Sequence, residues 1–92
     1  MEFEWDSSKA SANFKKHGVS FEEAKTVFDN PLAVIFDDEI HSIDEQREII
    51  IGHSQRNRLL LIAFTERSSN IRIISARLAT RKEREDYEQN AL

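Results

Sequence analysis

The order of apolar patterns along the chain predicts an α+β domain with elements in the order βααββββα: two N-terminal helices, an antiparallel β-meander and a C-terminal helix. Two observations predict it. Capping boxes at Ser20-Phe-Glu-Glu23 and Thr80-Arg-Lys-Glu83 open helices far apart in the sequence. Between them, β-branched and aromatic runs follow one another with only short turn-like breaks. Consecutive strands without intervening helices mark an α+β pattern, not a βαβ one. At 92 residues the chain is expected to form one domain, 1–92, with a single core.

The elements follow in order. Glu2-Phe-Glu-Trp5 alternates polar and apolar residues, as a short half-buried strand does. Asp6 is a good N-cap for a helix running to about His17, and Gly18 supplies the left-handed position after it. The Ser20 box opens the second helix, with Val19 and Ala24 placed as a hydrophobic staple and Phe21, Ala24, Val27 and Phe28 as its apolar stripe. Asn30-Pro31 ends it. Leu32 to Phe36 is a short apolar strand, and the acidic stretch from Asp37 to Glu45 is a loop holding His41. Gln46 to Ser54 and Arg58 to Thr65 are the next strands, joined by a tight turn in which Asn57 tolerates a left-handed backbone. After a turn at Ser68-Ser-Asn70, Ile71 to Arg77 is an isoleucine-rich strand. The Thr80 box opens the last helix, to about Gln89.

Composition excludes several classes. There is no cysteine, so disulfides and thiolate metal sites are ruled out. The three histidines are scattered without a His-x-x-x-His spacing, so no metal and no cofactor are expected. No apolar run approaches the ~20 residues of a membrane span, and the acidic N-terminus lacks the features of a signal peptide. No membrane partner is expected, and a cytoplasmic location is.

Charge is segregated along the chain. The net charge of −4 argues against a generic polyanion binder. Yet Asp37 to Glu48 holds six acids and one base, a net of −5, whereas Arg67 to Lys82 holds five bases and no acid, a net of +5. Such asymmetry points to a partner of defined charge, and the basic run reads most simply as a surface for phosphates.

Several strings carry a family resemblance: Phe3-Glu-Trp-Asp6, Lys16-His-Gly-Val-Ser-Phe-Glu-Glu-Ala24, Val27-Phe28, Ile51-Gly52, and above all Ile71-Arg-Ile-Ile-Ser-Ala-Arg77 followed by Glu83 and Tyr87. Together they resemble the BrnT toxin family from Phe3 to Tyr87. The resemblance implies a RelE-like fold and a ribonuclease toxin of a type II toxin–antitoxin pair. It also implies RNA as substrate and a BrnA-like ribbon-helix-helix antitoxin as partner, with operator DNA bound only through the complex. The family usually has Glu-Arg where this chain has Gln46-Arg47, so a carboxylate acting there has to come from Glu45 or Glu48. RelE-like folds also include non-catalytic toxins that poison gyrase, so a protein-directed inhibitor or a partner-binding module is the alternative.

Metal-free RNA cleavage needs a base for the ribose 2′-OH, an acid for the leaving 5′-oxygen and fixed cations for the phosphate. The candidates for catalysis are Arg72, Arg77, Arg47, His53 and Glu48, with Arg58, Arg67, Arg81, Lys82, Lys16 and His17 as RNA-binding residues. The resemblance puts Arg72 and Arg77 first. Bland readings stand beside these: strand-end arginines paired with the acidic loop, His17 meeting a helix C-terminus, Trp5 packing in the core, His41 solvated. Arg81 and Lys82 sit in the first turn of the last helix, where a bound phosphate would offset their unfavourable place at the positive dipole end.

Strand alternation sorts the candidates. It predicts Arg47, Ile49, Ile51, His53, Leu59, Leu61, Ile71, Ile73, Ser75 and Arg77 on one face. Glu48, Ile50, Arg58, Leu60, Ile62, Phe64, Arg72 and Ile74 fall on the other. Arg72 and Arg77 then point apart unless a bulge intervenes.

Overall fold

The computed structural model describes residues 2–43 and 45–91; Asp44 of the acidic stretch lies outside them. The chain forms β1 (Glu2–Glu4), α1 (Ser7–His17), α2 (Phe21–Thr26), β2 (Val34–Asp37), β3 (Glu48–His53), β4 (Leu59–Arg67), β5 (Asn70–Leu78) and α3 (Arg81–Ala91). The order βααββββα is the one expected. Short 3₁₀ turns at Val27–Asp29 and Glu39–His41 interrupt what the sequence suggested to be helix end and plain loop.

Local chemistry sets the helix ends. The Asp6 carboxylate accepts from the Lys9 amide at 3.0 Å, and Gly18 closes α1 with φ of 68°, a conformation in which any side chain would be strained. The Ser20 hydroxyl accepts from the Glu23 amide at 3.0 Å, and the staple pair Val19 and Ala24 is fully buried. At α3 the box is reciprocal: the Glu83 amide donates to Thr80 Oγ1 at 3.2 Å and the Thr80 amide to Glu83 Oε1 at 2.8 Å.

The strands form one sheet in the order β1-β5-β4-β3-β2. β2 to β5 are the expected antiparallel meander, and β1 adds a parallel edge beside β5. β2 starts two residues later than the apolar run suggested, because Leu32 follows Pro31 in a turn and its carbonyl accepts the Tyr87 hydroxyl at 2.8 Å.

One face of the sheet is covered by α1 and α2. There Val19, Phe21, Ala24 and Val27 pack on Ile50, Leu60, Ile62, Phe64, Ile71, Ile73 and Ala76. Phe3, Phe28 and Phe64 stack edge to face at about 5 Å, and Trp5 meets Phe21 in the same way. The opposite face is covered only at one end, where Tyr87 of α3 packs with Ile51 and Leu59. The sheet therefore leaves the rest of that face without a covering helix among the described residues.

β1 pairs with β5 only over Asn70–Arg72, so the β5 main chain beyond it has no strand partner on that side. Asn13 of α1 fills the gap. Its amide donates to the Ala76 carbonyl at 2.8 Å and the Val19 carbonyl at 3.0 Å, and its carbonyl accepts the Ala76 amide at 3.1 Å. A buried side chain thus completes the main-chain pairing.

Candidate active site

Across β4 and β5 the pairs run Leu61 with Arg77, Ile62 with Ala76 and Ala63 with Ser75, and then jump to Phe64 with Ile73 and Thr65 with Arg72. Ile74 is the extra residue of a β-bulge. Paired residues share a face, so Arg77 and Ser75 lie with Leu61 and Ala63, and Arg72 lies with Thr65 on that same face. The strict alternation expected from sequence is corrected here: Arg72 and Arg77 point to one side, and Ile71 and Ile73 to the other. The driving force is the core, which takes Ile71, Ile73 and Ala76, a spacing of two and then three. The polar residues Arg72, Ser75 and Arg77 carry the same odd step, a signal for the bulge that was present in the sequence.

Arg67, opposite Asn70, lies on this face too, as a diagonal neighbour of Arg72. Alternation back from Ile49 puts Arg47 there as well. Arg72 pairs across with Thr65, whose hydroxyl donates to the carbonyl of Gln46, the residue before Arg47, at 2.8 Å. Three arginines of β4 and β5 therefore share the incompletely covered face, and Arg47, in the segment leading into β3, adjoins Arg67.

Each arginine has a distinct tether. Arg77 makes a bidentate pair with Glu83 of α3 at 2.8 and 2.9 Å. That guanidinium, with the Thr80 amide, holds the Glu83 carboxyl down at about 2, so Glu83 stays ionised at neutral pH. Arg72 meets Glu4 of β1 at 3.2 Å, and Arg67 meets Glu45 at 3.4 Å. Arg47 forms no ion pair among the described residues, and its Nε is buried without a hydrogen-bond acceptor. A buried donor left unpaired carries a desolvation cost.

Arg47 and Arg67 line an open groove of about 480 Å³ together with Glu45, His41, Ile40 and Ile43. His41 was expected to be solvated, and its side chain is 63% exposed. Its Nδ1 also pairs with the Asp38 carboxylate at 3.0 Å, which leaves Nε2 facing away from that contact. The groove thus collects two guanidiniums, a carboxylate and an oriented imidazole. No spacing in the sequence announced it, because the Glu39–His41 turn and the end of β4 meet only in the fold.

The remaining candidates lie elsewhere. Glu48 pairs across with Phe64 and points to the helix-covered side. Burial, and then the charges of Glu66 and Asp37, push its carboxyl up. Arg58 is locked by Glu23 of α2, with a 2.9 Å bond from Nε, while Ser54 donates to the same carboxylate at 2.7 Å. Arg58 also donates to the Gly18 carbonyl at 3.2 Å, so it braces the α1–α2 corner. Lys16 and His17 end α1 at that corner, in the helical layer and not on the open face. His53 shares the arginine face but sits at its α3 end, its ring 5.9 Å from that of Tyr87. Arg81 and Lys82 extend into solvent and pair with Glu85 and Asp86 one turn on, while Glu83 accepts the Thr80 amide at the helix N-terminus. Among the described residues no three His, Asp or Glu side chains cluster as metal ligands do.

A family model described as "Ribonuclease toxin, BrnT, of type II toxin-antitoxin system" matches residues 5–83. The crystal structure of the Brucella abortus ribonuclease toxin, BrnT, is similar with a TM-score of 0.70 and 25% sequence identity, over 88% of this chain and 99% of that one. No match was found among curated proteins.

Proposed function

The chain belongs to the BrnT family of ribonuclease toxins of type II toxin–antitoxin systems, and on that footing we propose that it cleaves RNA, without a metal, on the arginine-lined face of its sheet. The observation that carries the reading is the bulge at Ile74, which turns Arg72 to the side of Arg47, Arg67 and Arg77.

In this reading Arg47, Arg67 and Arg72 hold the phosphate. Guanidiniums bind phosphate oxygens in a bidentate fork and stay charged as negative charge builds on the crowded phosphorus. Arg47, which forms no ion pair among the described residues, makes the first contact. Glu45 takes the proton of the ribose 2′-OH, the 2′-oxygen attacks phosphorus, and the phosphorus–5′-oxygen bond breaks. His41 gives the proton that the leaving 5′-oxygen needs, its ring held by Asp38. The products are a 2′,3′-cyclic phosphate and a 5′-hydroxyl. Arg77, tied to Glu83, docks α3 on the sheet and borders the site. The biological setting is cytoplasmic growth inhibition through RNA loss, relieved by a BrnA-like antitoxin.

Purified protein incubated with a defined RNA in chelator tests the reading. Arg47→Ala and Arg72→Ala are each expected to slow cleavage by roughly 10²–10³-fold, and His41→Ala by roughly 10²–10⁴-fold, with no change in fold. Intact RNA, or cleavage indifferent to these changes, contradicts it. Loss of DNA supercoiling activity in a gyrase assay would favour the non-catalytic alternative.

A further inference from the structure

Six of the eight large hydrophobic residues exposed among the described residues lie between Leu32 and Ile43. They centre on β2, the sheet's edge strand, whose outer main-chain groups have no strand neighbour. Val34, Ile35 and Phe36 are 37, 52 and 46% exposed. Native edge strands are normally protected by charge, by proline or by a covering segment. β2 instead offers apolar side chains on both faces. Val34 and Phe36 point to the α3 side, where with Ile51, Leu61 and Tyr87, and with three polar residues of α3, they line a groove of about 280 Å³. Ile35 points to the other side.

The strand ends in unneutralised acid. Asp37 pairs across with Glu48, and Glu66 is close enough to raise the Glu48 carboxyl. Among the described residues no cation lies within ion-pair distance of Asp37, Glu39, Glu48 or Glu66. A nucleic acid is repelled by such an edge. A second copy of the chain pairing through β2 would set two stretches of net charge −5 on one continuous sheet. The charge and the open main chain are complementary to one kind of occupant.

We infer that β2 is the docking edge for an extended segment of a protein partner, apolar at alternate positions and carrying Lys or Arg where it passes Asp37. The segment adds a sixth strand, its main chain pairing with β2 and its side chains covering Ile35 on one face and Val34 and Phe36 on the other. Resting on the toxin–antitoxin reading above, that partner is the antitoxin, and its seat on β2 adjoins the loop that carries His41 and Glu45.

A fluorescent heptapeptide alternating valine with lysine or arginine, titrated against the full chain by anisotropy, tests this. Binding is expected, and is lost when alternate peptide amides are N-methylated or when the cations are replaced by glutamate. The Ile35→Lys, Asp37→Lys double variant, changed only at exposed positions, is expected to bind about tenfold more weakly or worse while keeping its melting temperature and its RNA cleavage. Peptide binding indifferent to N-methylation or to the double variant overturns the inference. So does an RNA oligonucleotide protected at β2, or a dimer in sedimentation that Ile35→Lys dissociates. Because cleavage is read separately, a protein inactive on RNA that still binds the peptide at β2 rejects the ribonuclease reading and keeps this one.

Discussion

At the scale of single residues, the fold rests on a few polar side chains that make up for missing main-chain partners. Asn13 is the clearest. It is 8% exposed and satisfies three main-chain groups at once. Leaving buried donors and acceptors unpaired costs about 1–3 kcal/mol each, and the groups here relax in part toward water. Asn13→Ala is therefore expected to cost about 2–4 kcal/mol, a large share of a small domain's total of roughly 5–15 kcal/mol. The shift of the urea midpoint, at unchanged slope, measures it. Little of this was legible beforehand. Asn13 looked like one more polar residue on a helix, because its partner lies 63 positions away on β5. For Arg58 the sequence showed the charge but not its partner: Glu23, buried in α2 and 35 positions away, holds the guanidinium.

At the scale of elements, the bulge and α3 decide what the open face can do. Regular alternation gives the register of β3 and most of β4 correctly from sequence, since Ile50, Leu60, Ile62 and Phe64 all reach the core. It fails at Ile74, where two consecutive isoleucines disguise the extra residue. The capping boxes were legible because their chemistry is local. The His41 groove was not, because it joins a turn to a strand end. α3 is held to the sheet by Arg77–Glu83 and by Tyr87, and the ion pair gives the docking a pH dependence. Glu83 has a folded-state value of about 2 against an ordinary 4.5, and Glu23 is also held low by Arg58. The stability Glu83 contributes is thus complete above the unfolded value and is lost as pH falls from about 4.5 toward 2, and that of Glu23 is lost in the same direction below its ordinary value. Glu48 runs the other way: its raised carboxyl penalises the folded state at neutral pH, and that penalty fades as it protonates. The melting temperature is expected to hold or rise slightly from pH 7 to about 5 and then to fall steeply. In Glu83→Gln the acid fall is shallower, because the carboxylate that must protonate is gone. An unchanged acid limb in that variant would show that the pair adds nothing to α3 docking.

At the scale of the whole molecule, charge segregation along the chain becomes segregation in space. The basic run does not form one patch. It divides into Arg67, Arg72 and Arg77 on the open sheet face and Arg81 and Lys82 in solvent on α3. The acidic run divides as well, with Glu45 among the arginines and Asp37 and Glu48 at the β2 edge. One end of the domain thus carries a cationic sheet face beside an edge of acids and apolar groups, the first proposed for RNA and the second for a protein partner.

The central claim is that RNA lies on the face assembled by the bulge. Arginine Nε–H resonances, followed by NMR as an uncleavable RNA carrying a 2′-deoxy substitution at the scissile position is added, test it most directly. The Arg47, Arg67 and Arg72 signals are predicted to shift together and saturate at one RNA concentration, while Arg58 stays still. Movement of Arg58 with Lys16 and His17, and silence from Arg47 and Arg72, would place RNA on the helical layer and contradict the account.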